Sequence, residues 1–299
     1  MSSTQRRIIL VTGANKGVGF WIVKKLVEQK SSHKETVVLL GSRDVKRGQD
    51  ALIKLGSPSN VFLLQLDTSS LESIIRVTND IQQKYAGQLD VIINNAGISV
   101  KELSVDAARQ TFATNYYGVK LLNEHLLPFL REHGRIINVS SQIGPMTLYE
   151  TSKDIQEKYT ASTLTFVELD SLVEDFTAAI KTNTLDVAGY SIKSFSPIYG
   201  MSKAALNALT QVEMRQWKNM KNLLIVSVTP GFCATDINNN APDARPVKFG
   251  ADSILHAVNS PLSELENGAF YRDGEQLPFI SKPIPRDQWK NVSKELNQK

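Results

Sequence analysis

Residues 7–20, RIILVTGANKGVGF, join a short apolar run to a glycine-rich loop. The run ends in glycine, which is typical of a strand buried on both faces of a parallel sheet. Residues 18–30 then have the apolar periodicity of a helix. Gly13, Gly17 and Gly19 lie in the junction, where a plain strand-to-helix turn would need only one glycine. The spacing predicts a loop whose backbone approaches a pyrophosphate, with the amides of a helix starting near Gly17 directed at the anion.

Strands and helices alternate along the rest of the chain. Further apolar runs occur at residues 36–42, 60–67, 89–97, 134–141 and 222–231, and residues 268–274 form a last short candidate. Helical periodicity fills the intervals, with long helices expected at 111–133 and 199–221. This alternation predicts an α/β fold, a doubly wound parallel sheet with helices on both faces. We expect one domain over residues 1–299, with a helical insertion at about 145–195 and a substrate loop at about 236–250.

Composition excludes several classes of function. The net charge of +4 comes from 34 basic and 30 acidic residues without basic runs, which argues against a nucleic-acid partner. No stretch approaches the roughly 18 apolar residues of a membrane span, and the first residues do not resemble a signal peptide. The single cysteine, Cys233, fits a reducing compartment, so a cytoplasmic location is expected. The four histidines are scattered, and no metal site is expected.

Polar and glycine residues follow the predicted strands at the point where each strand ends. In doubly wound sheets, ligands bind at these carboxyl ends. The residues in question are the glycine loop 12–19, Asp67, residues 94–97 (NNAG), Ser140-Ser141 and Pro230-Gly231. Five strand ends with matching chemistry are stronger evidence for a nucleotide site than one glycine loop alone.

Five motifs occur in the order and context of the short-chain dehydrogenase/reductase family, which the chain resembles from about residue 8 to about residue 274. They are TGANKGVG (12–19), NNAG (94–97), NVSS (138–141), YGMSK (199–203) and PGFCATD (230–236). TGANKG, SRDVKRGQ (42–49) and the long gap before the tyrosine are most similar to the carbonyl reductase branch. The resemblance implies a Rossmann fold, with Tyr199 as proton donor, Lys203 as its activator, Ser141 as substrate-orienting hydroxyl and Asn115 as a relay residue that holds a water.

The chemistry of these residue types agrees with the resemblance. Reduction of a carbonyl requires a hydride at carbon and a proton at oxygen, and a free tyrosine, with a pKa of about 10, holds its proton too tightly. Tyr199 and Lys203 are four residues apart and share a helix face, so the ammonium is expected to lower the pKa of the phenol. Ser141 could bind the same carbonyl oxygen. The alternative is an ordinary exposed tyrosine–lysine pair, and for Asn115 a satisfied surface asparagine.

The end of the second strand indicates the cofactor. Enzymes that select NAD usually place a carboxylate there, whereas Gly41-Ser42 is followed by Arg43, whose planar donors suit a 2′-phosphate. Lys16 could reach the same phosphate, Arg47 is a weaker candidate, and Asp44 is expected to cap the next helix. We therefore predict NADP(H). By resemblance, Asp67 binds the adenine amino group, Asn94 starts the segment that passes the ribose, and Thr235 contacts the pyrophosphate and carboxamide. The remaining predicted cofactor contacts are Gly13, Asn15, Gly17, Val18, Gly19, Ala96, Gly97, Tyr199, Lys203, Pro230 and Gly231.

The substrate pocket is expected just after the fourth, fifth and sixth strands. Its candidate residues are Ser141, Gln142, Ile143 and Phe232, with Ile98 and Ile237 nearby, and residues 238–249 are expected to form a rim. An apolar pocket fits small-molecule ketones, aldehydes or quinones. A reductase of one specialised terpenoid, alkaloid or steroid-like ketone is an alternative, and a non-catalytic NADP(H)-binding regulator is another.

The 58 positions between Ser141 and Tyr199 are a longer gap than most of the family has. Residues 163–181 contain an apolar stripe at helical spacing, formed by Phe166, Leu169, Val173, Phe176 and Ile180. We expect this stripe to pack on the chain's own surface, beside the two long helices through which such enzymes commonly pair, and we predict a monomer. The alternative is that the stripe contacts a second subunit.

Overall fold

The computed structural model describes residues 6–29, 36–191, 194, 196–217 and 219–284. Its sheet has the strand order β3-β2-β1-β4-β5-β6-β7-β8, in which the first seven are parallel and β8 runs antiparallel to β7. The strands are β1 (Arg7–Val11), β2 (Thr36–Ser42), β3 (Val61–Gln65), β4 (Leu89–Asn94), β5 (Leu130–Val139), β6 (Leu224–Val228), β7 (Phe270–Arg272) and β8 (Glu275–Leu277). The predicted doubly wound parallel sheet is confirmed, and β8 is an addition that the sequence analysis missed.

Helices cover both faces of this sheet. They are α1 (Gly17–Glu28), α2 (Val45–Lys54), α3 (Leu71–Lys84), α4 (Val105–Phe112), α5 (Gly118–Leu126), α6 (Ile143–Tyr149), α7 (Lys153–Thr160), α8 (Phe166–Thr182), α9 (Pro197–Trp217) and α10 (Val247–Asn259). Alternate residues of β1 enter different cores, because Ile9 and Val11 pack with α1 and α10 while Ile8 and Leu10 pack with α3 and α5. No helix in the described ranges is long and apolar enough to cross a membrane.

The interval between Ser141 and Tyr199 contains α6, α7 and α8, as the expected helical insertion requires. Leu169, Val173 and Phe176 of α8 are buried, and they form one core cluster with residues of α4 and α9. Phe166 and Ile180 are partly buried against the same cluster. The apolar stripe therefore packs on the chain's own surface, as predicted.

The predicted bounds of the helix at 111–133 are wrong at both ends. The helical segment begins earlier with α4, passes through a π-helix at Ala113–Tyr117 and α5, and finishes in a 3-10 turn at Leu127–Phe129. Pro128 has no N–H for the helical ladder, which explains why α5 stops at Leu126. β5 then starts at Leu130, where Leu130 pairs with Leu89 across a register shift. The predicted helix at 199–221 is found as α9, which begins two residues earlier and is described as far as Trp217.

Candidate active site

The glycine loop between β1 and α1 has the shape of an anion cradle. Gly13 has a φ of +60°, and a Cβ there would stand 2.9 Å from the Ala96 Cα, so only glycine fits. The Thr12 hydroxyl accepts from the Ala96 amide at 2.9 Å, which joins the loop to the segment after β4. α1 begins at Gly17, as predicted, and no side chain caps its first amides. Unclaimed amides beside a close backbone approach fit a nucleotide pyrophosphate.

The end of β2 presents a cation and no competing carboxylate. Arg43 is exposed there, and Asp44 caps α2 by accepting from the Arg47 amide at 2.8 Å. At the end of β3, Asp67 is half-buried and accepts from the Ser69 amide and hydroxyl through a single oxygen, Oδ1. Arg43 is thus placed for a 2′-phosphate. Lys16, the second predicted phosphate ligand, is instead paired with Asp236 at 2.6 Å.

Asn94, which starts the segment expected to pass the ribose, has its side chain in the interior. Its amide Nδ2 donates to Asn123 Oδ1 and Asn138 Oδ1, both at 2.8 Å. Asn94 is the last residue of β4 and its side chain points into the core between the sheet and α9, so only its backbone reaches the strand end. Gly97 does border the site, since a Cβ there would stand 3.5 Å from Lys203 Nζ and 3.4 Å from Asn115 Oδ1.

The four predicted catalytic residues come together beyond the end of β5. The hydroxyl groups of Tyr199 and Ser141 form a hydrogen bond. Lys203 is buried, donates from Nζ to the Val139 carbonyl at 2.8 Å and lies 5.8 Å from the centre of the Tyr199 ring. The alternative interpretation, an ordinary exposed tyrosine–lysine pair, is therefore wrong, because Lys203 is buried.

Asn115 is fully buried inside the π-helix, so the satisfied surface asparagine is also wrong. Its amide donates to the Ile98 carbonyl and to the Ser202 hydroxyl, and its Oδ1 accepts from the Ile98 amide, all at 2.9 Å. The side chain is thus committed to the backbone after β4 and to α9. It ties these two elements together at the level of Lys203.

Burial shifts the pKa values of the tyrosine and the lysine in opposite directions. Desolvation raises the pKa of Tyr199, and the hydrogen bond from Ser141 offsets only part of that. Desolvation also lowers the pKa of Lys203 to about 8. The expected lowering of the tyrosine pKa by the ammonium is not found here, where desolvation of the phenolate is the largest effect and the opposing effect comes from Ser141. At neutral pH the site holds a protonated phenol, which is the form that a proton donor needs.

Two glycines allow α6 and α9 to interlock beside these residues. A Cβ on Gly144 would stand 2.8 Å from the Ala204 nitrogen, and a Cβ on Gly200 would overlap the Thr147 side chain. The helix that follows Ser141 and the helix that carries Tyr199 thus meet backbone to backbone. This close approach sets the separation of the two hydroxyl groups.

The predicted substrate residues lie beyond the carboxyl ends of β4, β5 and β6. Gln142, Ile143, Ile98 and Phe232 are half-buried, whereas Ile237 is exposed. Gln142 accepts through Oε1 from Arg272 Nη1 at 2.9 Å, a contact to β7 that the sequence analysis missed because 130 positions separate the two residues. Cys233 is buried, and burial raises the pKa of its thiol to about 12, so it stays an inert thiol.

The loop after β6 closes on itself above Gly231. The Arg245 amide donates to the Phe232 carbonyl at 2.8 Å, and the buried Arg245 guanidinium binds the Asp273 carboxylate through two nitrogens. Thr235, a predicted cofactor contact, lies in this loop, and its methyl group would stand 3.6 Å from a Cβ on Gly17. No described histidine, cysteine, aspartate or glutamate belongs to a group that could hold a metal ion, and His33 is outside the described residues.

Comparison with known proteins places this architecture in a family. Residues 7–168 match the family model described as short chain dehydrogenase. The chain is 30% identical to Carbonyl reductase [NADPH] 1 of Mus musculus over 286 residues, which cover 93% of this chain and 100% of that protein. It is 32% identical to Carbonyl reductase [NADPH] 3 of the same species over 280 residues, 91% of this chain and 98% of that protein.

Solved structures agree with this assignment. Salutaridine reductase from Papaver somniferum matches 89% of this chain and 99% of its own with a TM-score of 0.78 and 27% identity. Menthone neomenthol reductase from Mentha piperita matches 89% of this chain and 98% of its own with a TM-score of 0.69 and 28% identity. The glycine cradle, the Tyr199–Ser141 pair and these matches lead to one assignment: the chain belongs to the short-chain dehydrogenase family.

Proposed function

We propose that this chain is an NADPH-dependent carbonyl reductase that converts ketones, aldehydes or quinones to alcohols. The observation that carries the proposal is the hydrogen-bonded pair of Tyr199 and Ser141, with buried Lys203 beside it, at the carboxyl end of the sheet next to the glycine cradle. Relatives named Carbonyl reductase [NADPH] support it, because they align over nine-tenths of this chain.

Each residue of the site would have its own role in the reaction. When bound, NADPH supplies the hydride that the carbonyl carbon takes up. Ser141 and Tyr199 hold the carbonyl oxygen between their hydroxyl groups, and the Tyr199 hydroxyl gives its proton to that oxygen, which completes the alcohol. Because burial keeps Tyr199 protonated, the acid is in its active form before the reaction. Lys203, with its lowered pKa, stabilises the phenolate that is left and returns a proton to it.

Asn115 fits a supporting role in proton return. Its side chain fixes the Ile98 backbone and Ser202 near Lys203, so it shapes the passage between Lys203 and solvent. We propose that a water held near Asn115 reprotonates Lys203 after each turnover. A π-helix at this position supports the proposal, because such turns are frequent at functional sites.

The cofactor would lie across the glycine cradle. Gly13, Asn15, Gly17, Val18 and Gly19 would face the pyrophosphate, and Arg43 would bind the 2′-phosphate. The other predicted contacts, Asp67, Ala96, Gly97, Pro230, Gly231 and Thr235, lie at or just beyond the carboxyl ends of β3, β4 and β6. A planar guanidinium on an otherwise uncommitted strand end suits a phosphate better than a ribose hydroxyl.

We also propose that the chain works as a cytoplasmic monomer of one domain. The buried face of α8 packs on α4 and on α9, and α9 is one of the two long helices through which a second subunit was expected to pair. A single, buried cysteine is compatible with a reducing compartment. A specialised ketone as substrate is the second candidate, and the likeness to reductases named for salutaridine and menthone supports it.

The test is to follow NADPH absorbance with a panel of quinones, aldehydes and ketones, using the wild-type protein and the variant Tyr199→Phe. The variant should bind NADPH but lose about 10²–10⁴-fold in rate, the usual contribution of general acid catalysis. Tyr159→Phe is a matched control, since the Tyr159 hydroxyl is buried without a hydrogen-bond partner in the described part of the chain. A Tyr199→Phe protein with more than about a tenth of the activity would contradict the proposal, and NADPH binding without any turnover would favour a regulator.

A further inference from the structure

Lys16 and Asp236 form an ion pair between the glycine loop and the loop after β6. Lys16 Nζ and Asp236 Oδ2 are 2.6 Å apart, and their side chains are 59% and 64% exposed. The same two loops also come close at a second point, since the Thr235 methyl would stand 3.6 Å from a Cβ on Gly17. The loop after β6 is therefore held against the part of the chain that begins the nucleotide cradle.

The rest of that loop is anchored independently of Lys16. At its base, Ala234 donates to the Arg245 carbonyl at 3.1 Å, and Arg245 is clamped by Asp273. The turn at Asp236–Asn238 is closed by its own hydrogen bonds, among them Thr235 N–H to Asn238 Oδ1 at 3.1 Å. The Lys16–Asp236 pair is thus a separable contact, so its loss need not unfold the loop.

We infer that Asp236 competes with the 2′-phosphate of NADP(H) for Lys16, and so limits the preference of the chain for NADP(H) over NAD(H). The inference rests on the proposed function, in which Arg43 receives that phosphate, and on the expectation from the sequence that Lys16 reaches it too. A lysine ammonium is a single point charge, so a phosphate that takes Lys16 must displace the carboxylate or share the charge with it. The ion pair stabilises the state in which Lys16 is bound to Asp236 instead of the phosphate, and this lowers the apparent affinity for the phosphate.

The competition also links the cofactor to the substrate loop. If a 2′-phosphate weakens the hold of Lys16 on Asp236, then the pairing of Asp236 must weaken phosphate binding by the same factor. Residues 234–244, between Phe232 and Arg245, would consequently open more often when a 2′-phosphorylated ligand is bound. A ligand without that phosphate leaves the pair intact. Exposed ion pairs are weak, which limits the effect to about five-fold.

The experiment measures dissociation constants of NADPH and NADH by calorimetry for the wild-type protein, Asp236→Asn, Lys16→Met and the double variant. Asp236→Asn should bind NADPH about two- to five-fold more tightly at low salt and bind NADH unchanged. The gain should vanish in the Lys16→Met background and shrink in high salt, where charges are screened beyond a few ångströms. Asp243→Asn is the matched control, because it removes a charge from the same loop, where the described residues include no ion-pair partner for Asp243.

Hydrogen exchange supplies the second readout. Adenosine 2′,5′-bisphosphate should speed exchange of the amides in residues 234–244, whereas AMP should not. The inference is overturned if Asp236→Asn binds NADPH no more tightly than the wild-type protein, if Asp243→Asn gains as much, or if the gain persists without Lys16. These failures would leave the proposed function standing, because that function fails only if the wild-type protein does not bind NADPH or does not reduce carbonyl compounds.

Discussion

Glu213 should make the stability of this protein fall as the pH rises towards 8. The residue lies on α9 with no exposed surface, and its carboxyl accepts from Asn123 Nδ2 at 2.9 and 3.2 Å and from Asn138 Nδ2 at 3.5 Å. Burial raises the pKa of this carboxyl to about 8, and the amide hydrogen bonds offset only part of that effect. The folded protein therefore keeps Glu213 neutral at pH 7, whereas the unfolded chain ionises it.

The size of the effect follows from the two pKa values. The folded value of about 8 exceeds the ordinary value of 4.5 by about 3.5 units, and each unit corresponds to about 1.4 kcal/mol. The stabilisation is fully present below pH 4.5 and is lost as the pH rises through about 8, since the folded state binds the extra proton in this window. The free energy of unfolding should fall by about 1.4 kcal/mol per pH unit, and by about 5 kcal/mol in all.

Urea unfolding of the wild-type protein and of Glu213→Gln, at intervals between about pH 5 and pH 8.5, tests this slope. Glutamine has nearly the same shape and cannot ionise, so the difference between the two proteins isolates the titration of Glu213 from that of every other group. The free energy of unfolding of the wild-type protein should fall relative to that of Glu213→Gln as the pH rises. Parallel stability curves for the two proteins would refute the assignment of a neutral, buried carboxyl.

Three further outcomes are expected. The kcat/KM of carbonyl reduction should decline as the pH rises through about 8, because Lys203 then loses the ammonium form, and a flat profile up to about pH 10 would contradict this. Arg43→Ala should raise the KM for NADPH at least several-fold and leave the KM for NADH unchanged. Equal kcat/KM of the wild-type protein with both cofactors would contradict the predicted role of Arg43. Light scattering over a wide concentration range should give a mass near 33.2 kDa, whereas twice that mass would mean that α8 joins subunits.

Much of the fold could be predicted because the central strands are continuous apolar runs. β1 and β2 are recognisable by composition alone, and residues 166–182 by the spacing of their apolar side chains. The segment at 113–133 was not predictable in the same way. There the helical segment ends around Pro128. β5 starts at Leu130, which pairs with Leu89, a residue 41 positions earlier in the chain.

Only part of the candidate site could be predicted from the sequence. The grouping of Tyr199, Ser141 and Lys203 could be predicted, because the family resemblance points to these residues and the strand ends of a parallel sheet converge at one edge. The inward turn of Asn94 and the pairing of Lys16 with Asp236 could not, because both depend on side-chain direction across distant segments. The position of Asp236 directly after Thr235 in PGFCATD was the only signal available for that pair.

The close packing of α6 and α9 at Gly144 and Gly200 determines which positions can be mutated without loss of activity. Any side chain at either glycine would push α6 away from α9 and separate the Ser141 and Tyr199 hydroxyl groups. Libraries that seek a new substrate range should therefore leave these two helices untouched. Variation belongs instead at the side chains of Ile98 and Ile237, which are half-buried and exposed, respectively, and lie outside both helices. Tolerance to mutation within α6 and α9 should be lowest at these two glycines.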